Sequence, residues 1–184
     1  MVALELQHDL ADEIRNMFAE KMFKMPSGGQ TALNVFEQNL PMRDAKQMRV
    51  PEVSEDEAEL DEVPEEYGDE YGDEELNDLF PYCIVKLDQG MSESSESTHD
   101  VSTKLIIGIF DDGLDAAGYK DILNIIEDIR CRFRRNPILN GRYMAKDKME
   151  WALPDDDRDT FPYFFGALYL EWQTVDYERE DELA

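Results

Sequence analysis

Between Pro51 and Glu75 the chain reads PEVSEDEAELDEVPEEYGDEYGDEE, with fourteen Asp or Glu in twenty-five positions and no Lys, Arg or His. Carboxylates at that density repel one another and leave too little apolar surface to offset the entropy of ordering. This run therefore cannot belong to a core. We read residues 43–78 as an acidic insert or arm, so any fold must be built from what lies on either side. The tandem EYGD EYGD inside it is a local repeat, far shorter than the units of about twenty or more residues that build solenoids.

On the N-terminal side, Leu6, Leu10, Ile14, Met17, Phe18 and Met22 recur at helical spacing, with charges on the opposite face. The pattern predicts an amphipathic helix ended by Pro26 and Gly28, its apolar stripe laid on the protein's own sheet. Residues 27–48 show no convincing period. On the C-terminal side, LFPYCIVKL alternates as a short strand over Leu79–Leu87. VSTKLIIGIFDD is apolar on both faces over Leu105–Phe110, which predicts a central strand covered on both sides. These two strands form an antiparallel hairpin across the serine-rich DQGMSESSEST.

Ile122, Leu123, Ile125, Ile126, Ile129 and Phe133 then lie on one stripe of a second helix, with acids near its start and arginines at its end, the order the helix macrodipole favours. Asn136-Pro137 stops it. GRYMAKDKMEWALP reads as one or two short strands ending at Pro154. YFFGALYLEWQTVDYE reads as a long one with Phe164, Leu168, Leu170 and Trp172 on its apolar side. Residues 179–184 are a charged tail. The expected fold is one α+β domain over 1–184: a small antiparallel or mixed sheet packed against the N-terminal helix and the second helix, with the acidic insert between them.

Charge and cysteine usage narrow the function. A formal charge of −26 and a pI near 4.2 repel nucleic-acid phosphates at long range. Cys83 and Cys131 lack CxxC spacing and read as reduced core thiols in a cytosolic protein. No signal-peptide pattern and no apolar run of about eighteen residues is present, so neither export nor a membrane span is expected.

No catalytic constellation outweighs its structural explanation. His8 falls on a helix surface and His99 in the serine-rich loop, and neither has a metal partner at suitable spacing. The glycines near Gly113 and Gly118 do not make a phosphate loop. Asp155, Asp156 and Asp157 lack the order of an EF-hand loop and read as a solvated turn. We expect no enzyme, no cofactor and no metal.

The one basic cluster is Arg130, Arg132, Arg134 and Arg135, with Arg142, Lys146 and Lys148 just beyond. Such a cluster can be a dipole-matched helix surface or a patch that pairs with acids. A basic edge and an acidic arm on one small domain favour head-to-tail self-association, the geometry that closes rings. The cluster is thus a candidate subunit interface; DNA binding through it is opposed by the surrounding field.

The run LIIGIFDDGLDAAGYKDILNIIEDIRCRFRRNPIL, followed by MEWALPDDDRDTFPYFFGALYLEWQ, resembles tail terminator or tail-completion (head-tail joining) proteins of long-tailed bacteriophages. The strand ending in GIFDD, the helix GYKDILNIIEDIR and the turn WALPDDD…PYFFG into the last strand carry the resemblance. It spans roughly Leu79 to Tyr177, and the N-terminal helix fits as well. It implies a virion protein that forms a ring, usually a hexamer, at the head-proximal end of the tail tube. Its partners would be further copies of itself, the tube protein and the neck or head-completion proteins. DNA would pass through the ring without specific binding. The family offers no catalytic residues, and the acidic arm is no part of its pattern.

In such a ring, Glu55, Asp56, Glu57, Glu65, Glu66, Asp69, Glu70, Asp73, Glu74 and Glu75 would either line the channel and repel passing phosphates or wrap a neighbouring protein, with Tyr67 and Tyr71 as anchors. The alternatives are another neck subunit, which is also ring-forming, and an acidic DNA-mimic inhibitor. Against the mimic, the charges sit in one arm, and the domain also carries a basic cluster.

Overall fold

The computed structural model describes residues 2–41, 79–91, 99–155 and 160–174. The elements run α1 (Val2–Phe18), β1 (Phe23–Lys24), β2 (Gln30–Thr31), β3 (Asn34–Glu37), β4 (Tyr82–Met91), β5 (His99–Phe110), α2 (Gly118–Arg135), β6 (Ile138–Leu139), β7 (Tyr143–Ala152) and β8 (Tyr163–Thr174). β1 and β2 form a small hairpin. The other six strands make one sheet in the order β3-β4-β5-β8-β7-β6. β3 runs parallel to β4 and every other pairing is antiparallel, so the sheet is mixed and the fold is α+β.

Both helices lie on one face of this sheet. The alternation of each strand sends Cys83, Val85, Leu105, Ile107, Ile109, Phe164, Leu168, Leu170 and Trp172 to that side. There they meet Leu6, Leu10, Ile14 and Phe18 of α1 and Ile122, Ile125, Ile126, Ile129 and Phe133 of α2 in one buried cluster. The Trp172 indole stands edge-on to Phe133 at 5.0 Å and donates its N–H to Thr103 Oγ1 at 2.9 Å, so its polar atom is satisfied inside the core. Gln7, the buried polar residue of α1, donates to the Val85 carbonyl at 2.7 Å and to Gln38 Oε1 at 3.0 Å. Leu87 N–H donates to that same Gln38 oxygen. One amide pair thus ties α1 to the β4 backbone.

Several expectations are corrected. α1 stops at Phe18, a turn before Met22, which is 57% exposed. The chain turns there so that Phe23 can pair with Thr31 and pack on the core, an arrangement a longer helix would forbid. The aperiodic stretch after Ser27 contains β2 and β3. β3 is only four residues long and its partner β4 lies more than forty positions on, so no local period marks it. The strand expected from Leu79 begins at Tyr82 and continues to Met91, past a bulge between Leu87 and Gln89. His99 opens β5 instead of lying in a loop. Leu123 flanks the buried stripe of α2 and is only half-buried. Cys131 is also only partly buried, so of the two thiols Cys83 alone belongs to the core.

The second face of the sheet is covered differently. β5 is central, but among the described residues no helix lies on the side of Ile106 and Phe110. Phe80, Tyr82 and Ile84 pack there with Phe36, Leu40, Ile106, Phe110, Tyr163 and Phe165 as a second cluster. Gly108 makes room for it, because a Cβ at that position would lie 2.6 Å from the Tyr82 ring. The other half of this face is polar: Lys146 bridges Asp100 (2.6 Å) and Glu171 (3.8 Å), and Lys104 lies over the Tyr169 ring.

Candidate functional site

The basic cluster expected from the sequence occupies the C-terminal turns of α2. Its local cause is the period of 3.6: Ile125, Ile126, Ile129 and Phe133 point to the sheet, so the intervening arginines must point away from it. The orphan carbonyls of the last turn favour cations there. Arg132 Nη1 serves one of them directly, donating to Asn136 O at 2.5 Å.

The four arginines separate into two pairs. Arg132 Nε meets Glu13 of α1 at 2.5 Å, and Arg130 meets Glu127 one turn back at 2.8 Å. Arg134 and Arg135 are exposed, and among the described residues no carboxylate lies within ion-pair range of either. Arg132 therefore fastens the two helices together, Arg130 is held within α2, and the other two face outward.

The fastening has a second component that sequence reasoning missed. Glu5, Asp9 and Glu13 of α1 recur every four residues beside the apolar stripe. Each meets a group from the region of α2 and the following turn. Glu13 takes Arg132, Asp9 takes Asn140 (2.9 Å) and Arg142 (3.2 Å), and Glu5 takes Arg142 (2.8 Å). Lys21, just past α1, closes on Asp128. The signal available in the sequence was the i, i+4 acid row on α1 facing a base row at the end of α2.

Between the two helices, at this end, lies a groove of about 640 Å3. Met17 and Cys131 supply soft, apolar lining, while Lys21, Arg132 and Arg135 supply cations and Asp128 one carboxylate. This open groove sets soft apolar surface beside guanidinium groups.

Carboxylates also gather after β5. Lys24 Nζ reaches Asp111 at 2.6 Å and Asp112 at 3.2 Å. The hydrogen bond from Lys24 holds the Asp111 carboxyl below the usual range, while partial burial and then the nearby Asp111 charge push Asp121 upward. Among the described residues no group of three or more His, Cys, Asp and Glu is disposed to hold a metal ion. His8 is exposed on α1, bonded to Glu37 at 2.9 Å, and its pKa is raised chiefly by that bond.

The remaining sequence-selected residues lie outside the described residues: Glu55, Asp56, Glu57, Glu65, Glu66, Asp69, Glu70, Asp73, Glu74 and Glu75, together with Asp156, Asp157 and the tail 179–184. No described helix is long and apolar enough to cross a membrane. Compared with known proteins, the chain matches no family model and no curated protein.

Proposed function

We propose that this chain is a structural ring subunit of the tail-terminator kind, ending the polymerisation of a phage tail tube at its head-proximal end and joining tail to head. The observation that carries the reading is the convergence of the three stretches on which the resemblance rests. Asp111, at the end of GIFDD, donates its N–H to Pro162 O at 3.0 Å. Gly118, which opens the helix GYKDILNIIEDIR, leaves room for the Phe164 ring of PYFFG, and Gly166 does the same for Ile122. Three stretches separated in sequence thus pack as one unit, which supports reading them as one motif. The two outward arginines on a chain of net charge −26 support self-association through unlike charges.

As a ring protein the chain acts by geometry and charge. The ring would cover the last tube layer, present its other rim to the neck, and keep its lumen negative so that DNA slides without adhering. The test is the solution mass over a concentration series by light scattering after size exclusion, with negative-stain imaging of the same fractions. A mass near about six copies and an annulus with an open lumen are expected. A single-copy mass at every concentration would remove the self-closing ring and favour the free acidic inhibitor.

A further inference from the structure

Arg134 and Arg135 make no ion pair within the described fold. The other arginines of the cluster are engaged within the chain, whereas these two stand exposed, and Arg135 lines the groove between α1 and α2. We propose that this groove is the docking site for the acidic, tyrosine-bearing segment Pro51–Glu75 of a second copy of this chain.

The chemistry of groove and segment is complementary. The segment carries fourteen carboxylates and no base, and in EYGDEYGD each tyrosine sits beside a glutamate, with Gly-Asp following. A tyrosine ring finds favourable contact with the Met17 thioether and the Cys131 thiol on the groove floor. Its flanking carboxylates then fall beside the Lys21 ammonium and the guanidinium groups of Arg132 and Arg135, where charge-assisted bonds form. On a chain so negative overall, a neighbour's acidic segment is repelled across most of the surface, and this groove is where the repulsion reverses.

Placement favours a second copy, because the chain's own groove faces away from the flanks of the segment. Leu40 and Phe80, next to the two ends of the intervening sequence, both pack in the aromatic cluster on the face away from α1 and α2. The groove opens on the helix side. A donor on one face and an acceptor on the other make a head-to-tail contact, which propagates from copy to copy and closes when the rotation allows. Residues 42–78 provide a contour on the order of 120 Å, ample to span two adjoining subunits. The inference rests on the proposed ring for the number of copies and not for the contact itself.

Cys131 makes the contact directly measurable. Tyr67→Cys and Tyr71→Cys, each in the full chain, are treated with a mild thiol oxidant and resolved by non-reducing electrophoresis. Disulfides joining two or more chains are expected, lost when Cys131→Ser is added. R134E/R135E is expected to reduce their yield about tenfold, as is raising the salt several-fold. The reversed arginines make no ion pair within the described fold and give up only their interaction with the helix end, so a thermal midpoint lowered slightly with the cooperative transition retained checks that this variant is intact. Disulfide confined to single chains, disulfide that survives Cys131→Ser, or none at all would overturn the proposal. The light-scattering mass separates its fate from that of the ring. Multi-copy mass without Cys131 cross-links sinks the groove alone, whereas inter-chain cross-links without a closed ring sustain the groove and sink the ring.

Discussion

The two faces of the central sheet are sealed by different means. On the helix face, aliphatic side chains and Trp172 are closed off by α1 and α2, and Leu105, Ile107 and Leu168 retain no accessible surface. On the other face no described helix is present; among the described residues half of it is closed by aromatic rings turned onto one another, Phe80 lying 4.9 Å from Tyr82 and 4.8 Å from Tyr163, and half carries ion pairs. Two layers of secondary structure give a core that tolerates little, whereas a self-covered aromatic patch keeps partly accessible atoms and has room to adjust. The first face holds the fold and the second holds the roots of the acidic segment. A domain that must present a long insertion gains from anchoring it where local rearrangement does not reach the main core.

This contrast can be broken, and the largest expected effect is kinetic. Burial pushes the Cys83 thiol up to about 12, so at about pH 8 its thiolate fraction is on the order of 10^-4, and labelling must wait for opening of the sheet. Ellman's reagent should modify the partly exposed Cys131 rapidly and Cys83 orders of magnitude more slowly. Equal rates would show that the helix face is not sealed. Next in size, Trp172→Ala removes the largest fully buried side chain and leaves Thr103 Oγ1 without its donor, at a cost of about 3–5 kcal/mol in urea unfolding. A loss under about 1 kcal/mol would mean the core collapses around the cavity, contrary to a rigid helix face.

A matched pair of glycines compares the faces directly. Gly166→Ala places a Cβ 2.5 Å from Ile122 Cγ2 inside the sealed core, and Gly108→Ala places one 2.6 Å from Tyr82 Cζ on the face away from α1 and α2. Both should destabilise by about 1–3 kcal/mol, with Gly166→Ala nearer the upper end because Ile122 has nowhere to go. The reverse order in thermal melts would overturn the account of the second face as the more adjustable one.

The smallest effect concerns the rim of the helix face, where His8 links α1 to Glu37 at the end of β3. The hydrogen bond to Glu37, followed by the charges of Asp12 and Glu37 and opposed by Arg15, raises the folded-state pKa of His8 above 6.5. The bond's contribution to stability is thus fully present below about pH 6.5 and is lost as pH rises through the raised folded value. The difference in melting temperature between the parent and His8→Gln should be small, visible at about pH 6 and gone by about pH 9. A difference that grew with pH would contradict the assignment.

Much of this architecture was legible in the chain itself. The stripes of α1 and α2, the alternation of β8 and the doubly apolar run of β5 are local patterns, and each corresponds to an observed element. β3 was not legible because a four-residue edge strand is defined by its distant partner and not by its own period. The early end of α1 was hidden for a similar reason: Met22 continues the helical spacing, but the hairpin of Phe23 with Thr31 draws the chain away. Within the candidate site, the arginines were evident as a cluster, yet nothing in their spacing distinguished Arg132, committed to Glu13, from Arg134 and Arg135.

The sequence alone determined that the core forms on either side of an acidic stretch, that two amphipathic helices cover a sheet, and that bases concentrate at the end of the second helix. These follow from short-range periodicity and from charge, which act along the chain. Only the tertiary structure decided which arginines are consumed in holding α1, that a groove with Met17 and Cys131 in its lining remains beside the others, and that Leu40 and Phe80 stand on the opposite face. These depend on which distant residues meet. The strands alternate with a period of two, so the sheet's pairing and the helices above it settle which side of the domain each group finally occupies.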